Sequence, residues 1–228
     1  MNDPSNSYDI ARSAIKEKDI ATAYKYYKEI FDNNPAEWEA NFDTVYCEAM
    51  MAKKKDFWSA SISVMNIEKK IFTAIRDCIK EEEKDIAIKS VCEGFTEVSN
   101  KFTDDTNKNF AHLSHSIREE FIYDYVSTLS VSAEVMYTCG EELISTFGDR
   151  YSSHAVSAWE RAIEINSSYI KYVTNKKEHF NTIHQFEHKI KKYDSTYKAP
   201  HIDVSGHEHN SKIRKIMDLF TFRSKRKK

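Results

Sequence analysis

Four glycines and three prolines in 228 residues leave this chain few places to turn sharply. Sheets need frequent turns, and tight turns draw on glycine for positive φ or on proline for a fixed φ; long helices need neither. The scarcity predicts an all-α fold. It also disfavours phosphate loops, dinucleotide fingerprints and nucleophile elbows, whose glycines allow close backbone approach or positive φ. Charged residues make up 31% of the chain and nearly cancel, for a net charge of −2. A chain of this length buries roughly 70% of its unfolded surface, enough for one main domain, expected over 1–197.

Hydrophobic spacing supplies the order of elements. Ala11, Ala14, Ile15, Ile20, Ala23, Tyr24, Tyr27 and Ile30 recur at helical intervals, interrupted at Lys16-Glu17-Lys18-Asp19. Two short antiparallel helices are predicted over 7–34. Pro35 closes them, because the residue before proline avoids helical geometry, and a new helix is expected near Ala36. Long helices are predicted through 36–147: one from Phe57 to Ile79, one from Ile86 to Phe102, and one from Phe110 to Phe147, the last straight or kinked. Thr103-Asp104-Asp105-Thr106 is expected to cap the start of that last segment. Val126, Leu129 and Val131 could pass locally for a strand, but a lone strand has no partner. A further helical segment is expected over 148–172 and a last helix over 174–195.

Small Ala11, Asp19 before Ile20, small Ala23, aromatic Tyr27 and the closing Asn34-Pro35 resemble the tetratricopeptide repeat, a helix pair with a period of about 34 residues. Ile30 stands where that repeat usually has alanine, implying wider helix spacing there. A second echo runs from Gly148-Asp149-Arg150-Tyr151 to Ala155, Trp159 and Ala162, with Ser167 in place of the closing proline. With Trp38-Glu39-Ala40, the long middle helices and Lys191-Lys192-Tyr193-Asp194-Ser195-Thr196-Tyr197, the chain over 5–200 resembles bacterial proteins of unassigned function that pair one repeat with longer helices. The resemblance implies a cytoplasmic protein in which a tetratricopeptide-like hairpin is continued by a bundle or array of longer antiparallel helices. It carries no catalytic residues. Arrays of this kind bind extended peptides on a concave face, which makes Tyr8, Tyr24, Tyr26 and Tyr27 candidate partner-binding residues.

Cys47, Cys78, Cys92 and Cys139 lie 31, 14 and 47 residues apart, too widely for a redox or zinc motif, and are expected to be reduced core thiols. Met1 to Tyr8 has no basic region followed by an apolar run, so no signal peptide is expected. The uncharged stretch Tyr125 to Ala133 is nine residues long, whereas a membrane span needs about 20.

One motif could carry chemistry. His184-Gln185-Phe186-Glu187-His188 matches H-x-x-E-H and so resembles the inverted zinc peptidases over five residues, where the histidines would hold zinc and Glu187 activate water. Those enzymes need a further acidic ligand well downstream, and 40 residues follow His188 here. Phe180, Ile183, Phe186 and Ile190 mark the apolar stripe, and both histidines project roughly 100° or more from it. Surface histidines are the expectation and a zinc-dependent hydrolase is a remote alternative. His201, Asp203, His207 and His209 are also capable ligands, on a polar segment without preorganisation.

Residues 198–210 read as a linker and 211–228 as a basic amphipathic tail. On a helix Ile213, Ile216, Met217 and Phe220 would share a face, flanked by Arg214, Arg223, Lys225 and Arg226. The tail holds eight basic residues against Asp218 alone, a net of +7 that leaves −9 on the rest of the chain. Such a segment can lie on an anionic membrane surface, dock into a partner groove, bind nucleic acid or fold back on the acidic body. Nucleic acid is the weaker acceptor, since a −9 body repels phosphates. The expected function is that of a non-enzymatic adaptor or scaffold that binds a protein partner through its helical surface. The alternative is a peripheral membrane protein attached by its tail. No cofactor or small-molecule substrate is evident.

Overall fold

The computed structural model describes residues 4–173 and 175–200. Among the described residues there are eight α-helices and no strand, so the fold is all-α. Residues 201–228, with the basic tail and the candidate ligands His201, Asp203, His207 and His209, lie outside the described residues.

The first two helices, α1 (Pro4–Lys16) and α2 (Ile20–Asn33), are joined by three residues and pack against each other as an antiparallel pair. Lys18 takes a left-handed φ of 61°, which turns the chain. Asp19 then caps α2 by accepting a hydrogen bond from the Thr22 amide at 3.1 Å. Ala11 and Ala23 are fully buried, and Tyr27 is 2% exposed. After Asn34-Pro35 the chain starts α3 (Trp38–Met51), two residues beyond the predicted Ala36.

A 3₁₀ turn at Lys54–Asp56 leads into α4 (Phe57–Cys78), followed by α5 (Glu81–Ala111), α6 (His115–Phe147), α7 (Ser152–Tyr169) and α8 (Lys176–Ile190). Helices α1 to α4 pack in series, each on the next. Helix α6 then becomes the centre, with α4, α5 and α7 all packed against it, and α8 rests on α7. Leu129, Val135, Met136, Cys139 and Leu143 of α6 are essentially inaccessible. Aromatic rings join the layers: Phe57 stacks on Phe102 at 4.4 Å, Phe42 meets Phe95 edge-on at 5.3 Å, and Phe110 stacks on Tyr125 at 4.0 Å.

The Thr103-Asp104-Asp105-Thr106 cluster caps nothing. It lies inside α5, where Thr103 and Thr106 are buried and Lys101 pairs with Asp105 at 3.3 Å across one turn. The apolar stripe Phe95, Val98, Phe102 and Phe110 carries the helix through it. The break falls at 112–114 instead, where Arg118 closes the end of α5 by donating to the carbonyls of Phe110 and Ala111. The last helix is also shorter than 174–195. It starts after Asn175, whose side chain accepts from the Glu178 amide, and ends at Ile190. Tyr197 and Ala199 still pack on the core, so the chain stays on the body beyond the boundary expected at 197.

Close approach at α6 depends on a missing side chain. A Cβ at Gly140 would collide with the buried indole of Trp159 on α7, which cannot swing aside in a packed interior. Alanine is the better helix former by up to about 1 kcal/mol, but overpacking costs about 1–3 kcal/mol. Gly140→Ala is therefore expected to lose about 1–2 kcal/mol net. Urea unfolding measures this, and an equal or higher midpoint would contradict the packing account.

Candidate functional site

The four tyrosines of the first hairpin do not form one surface. Tyr27 is core. Its ring meets Tyr8 edge-on at 6.3 Å, and its hydroxyl lies 3.4 Å from Glu39 with Asp43 beside it. Tyr8 is half-buried, donates to Glu37 at 3.4 Å, and carries the Arg12 guanidinium over its ring at 5.1 Å. Arg12 also forks onto Glu39 through two contacts of 2.6 Å. These groups make a polar cluster between α1, α2 and α3 rather than a cleft. Tyr26 is half-buried with Lys25 near its ring.

Electrostatics in that cluster oppose ionisation. Burial, reinforced by the neighbouring Glu39 carboxylate, pushes the Asp43 carboxyl up from 3.8 to about 8, against the hydrogen bond from Tyr27 and the charge of Arg12. The Tyr8 and Tyr27 hydroxyls are pushed up, in both cases chiefly by burial. Arg12 is held more firmly protonated by its hydrogen bonds to Glu39.

Tyr24 alone faces an open cleft. Its hydroxyl donates to Glu48 at 3.0 Å, and it lines a hollow of about 530 Å³ with Val45, Ala49, Met51, Ala52 and Ala60. The hollow lies at the corner where α3 passes into α4, and α4 lines it with Ser59, Ala60 and Ser63, while Trp58 and Ile62 stand exposed on another face of that helix. Met51 is 41% exposed, Trp58 45% and Ile62 37%. From α6, the ring of Phe121 lies 5.8 Å from the Lys54 ammonium of the corner. The buried stripe of α4 runs through Phe57, Ser61, Val64, Glu68, Ile71, Phe72 and Ile75. Trp58 and Ile62 sit one position past Phe57 and Ser61, about 100° around the helix, and so face outwards. Lys53, Lys54 and Lys55 are exposed beside them.

The zinc-like motif is arranged as a solvated helix face. Ile183, Phe186 and Ile190 are buried, while His184 and His188 are exposed. Glu187 is engaged locally: Lys191 donates to it, His184 Nδ1 lies at 3.2 Å and the Ala199 amide reaches it. The Lys191 contact leads in holding this carboxyl below its ordinary range. Among the described residues no group of three or more His, Cys, Asp or Glu is placed to hold a metal ion. The tail candidates Ile213, Arg214, Ile216, Met217, Phe220, Arg223, Lys225 and Arg226 lie outside the described residues.

One buried acid stands apart from any surface. Glu68 of α4 is 1% exposed, and neither of its carboxyl oxygens has a hydrogen-bonding partner. The adjacent Thr138 hydroxyl points at its own helix carbonyls, Glu134 at 2.9 Å and Val135 at 3.2 Å. Burial pushes the Glu68 carboxyl well above its ordinary range, so it is held neutral. No family model, curated protein or solved structure matches the chain.

Two outcomes are expected. An acid with a raised folded-state pKa binds more protons in the fold, so it weakens the fold as pH climbs from 3.8 to about 8 and has no further effect above. Asp43→Asn should therefore raise the melting temperature more at pH 8 than at pH 5; a pH-independent difference would contradict the assignment. Glu68→Met removes an unpaired buried polar group at similar volume and should stabilise by about 1–3 kcal/mol, read by urea unfolding. Destabilisation would mean that the carboxyl is satisfied.

Proposed function

We propose that the protein is a non-enzymatic adaptor that binds a partner protein at the corner between α3 and α4. The observation that carries this reading is the open hollow at that corner, walled by Tyr24, Val45, Ala49, Met51 and Ala60, with the 41% exposed Met51 at its surface. An open hollow with mostly apolar walls and a few polar groups at its edge is the kind of concavity that takes a partner's side chain. Tyrosine and other aromatics are the side chains that anchor such interfaces.

The rim selects the partner's chemistry. Lys53, Lys54 and Lys55 form the charged edge, so the complementary segment carries acidic residues beside one or two apolar anchors. Tyr24, from the first hairpin, supplies the opposite wall with Glu48. On this reading the hairpin is tetratricopeptide-like. Fully buried Ala11 and Ala23 at the helix contact and packed Tyr27 support that likeness, and the arrangement of packed helix pairs is compatible with it. Of the four candidate tyrosines, Tyr24 keeps the partner-binding role.

The test compares the unaltered chain with a Tyr24→Ala, Met51→Asp double variant in affinity capture from cells of the source organism. A partner retained by the first and lost by the second, with melting temperature unchanged, is the expected result. Identical retained sets would end the corner reading. A chain ending at Ala199 runs in parallel: retention that disappears with the tail would move the function to residues 200–228.

A further inference from the structure

The two middle cysteines sit where helix packing brings them face to face. On α5 and α6, which run antiparallel, Ser99 Oγ donates to the Ser132 carbonyl at 3.1 Å, so the two backbones are close at that level. Cys92 lies seven residues back from Ser99 on α5, and Cys139 lies seven forward from Ser132 on α6. Seven residues are two turns, about 10 Å along the axis and about 20° short of the starting direction. The displacements run the same way in space because the helices are antiparallel. Cys92 and Cys139 therefore face each other across the interface as Ser99 and Ser132 do, and both line one cleft.

Access is one-sided. Helices α5 and α7 flank α6 and leave a cleft of about 460 Å³ between them, lined by Lys89, Cys92, Met136, Cys139, His154 and Ser157. Cys92 is half-buried at this cleft, while Cys139 is wholly inaccessible beneath it. Of the other two, Cys47 is enclosed in α3 and Cys78 stands exposed at the end of α4. A small neutral oxidant can reach Cys92 through the cleft, whereas nothing larger reaches Cys139.

The geometry points to Cys92 and Cys139 as a dithiol oxidised by a small hydroperoxide to an intramolecular disulfide that staples α5 to α6. The Cys92 thiolate attacks hydrogen peroxide; the O–O bond breaks, sulfenic acid forms, and hydroxide leaves and takes up a proton as water. The Cys139 sulfur then attacks the Cys92 sulfur. An S–S bond forms, the S–O bond breaks, and the Cys139 proton departs with the hydroxyl as a second water. Two thiols are oxidised and one peroxide is reduced. The neighbouring Cys92 thiol, followed by burial, pushes the Cys139 thiol well up, which suits a resolving thiol that reacts only with a neighbour already oxidised.

The full chain treated with hydrogen peroxide and then alkylated in denaturant decides the matter. Free thiols are expected to fall from four to two, with the Cys92 and Cys139 peptides joined in a non-reducing mass map and the chain monomeric on a non-reducing gel. In Cys139→Ala the sulfenic acid at Cys92 should persist and be captured by a 1,3-dione. Four surviving thiols, a cross-link between chains through Cys78, or sulfinic acid at Cys92 with Cys139 still free would each overturn the inference. If Cys139→Ala fails to fold, the map of the unaltered chain decides alone.

Discussion

The structure depends on how closely its neighbours can approach α6. That helix has 33 residues, about 50 Å of axis, and α4, α5 and α7 all pack on it. Small side chains make the approach feasible: Ser132 faces Ser99 on α5, and Gly140 receives the Trp159 indole from α7. Large ones around them, Leu129, Met136 and Leu143, fill the remaining space, each contributing about 1.5–3 kcal/mol by burial. The alternation of small and large along one helix decides where each partner sits. The close contact of Cys92 and Cys139 follows from the same register.

Away from that centre the balance of forces changes. Between α1, α2 and α3 the contact combines alanine and tyrosine packing with a charged cluster of Arg12, Glu37, Glu39 and Asp43. Burial, reinforced by the Glu39 carboxylate and only partly offset by Arg12, is why Asp43 stays protonated where a surface aspartate would ionise. The hairpin is joined to the rest through α3, and the partner corner opens where α3 hands over to α4. The surface proposed for recognition therefore borders the more polar part of the molecule.

Much of the fold was legible in local signals. The period of apolar residues placed α1 to α7, the Lys16-Glu17-Lys18-Asp19 break marked the turn before α2, and Pro35 marked the boundary before α3. What failed were signals whose meaning depends on tertiary contacts. Thr103-Asp104-Asp105-Thr106 has good capping chemistry, but Phe102 and Phe110 hold it inside a helix, and the true stop is set by Arg118 reaching back across the turn. The candidate surface was less legible. Tyr8 and Tyr27 carry the same side chain as Tyr24, and only the fold separates the two that pack from the one that lines a hollow. Trp58 and Ile62 merge with the apolar run of α4 in sequence; their outward placement emerges once Phe57 and Val64 fix the buried stripe. Glu68, beside Lys69 and Lys70, has the local sequence of a solvated face, and nothing short of the packing shows it enclosed.

The serial order of α1 to α4 has a consequence for how the molecule breathes. An element touching one neighbour is released by losing one interface, whereas α6 must lose three. Cooperative units in such an arrangement are nested, with the outermost opening at the smallest free-energy cost. Amide protons of α1 should thus exchange through local excursions that leave α6 intact, while those of α6 exchange only when the whole core dissolves. The protein is graded outwards from its central helix, loosest at the two elements held mainly by one neighbour, α1 and α8, and most tightly coupled around α6.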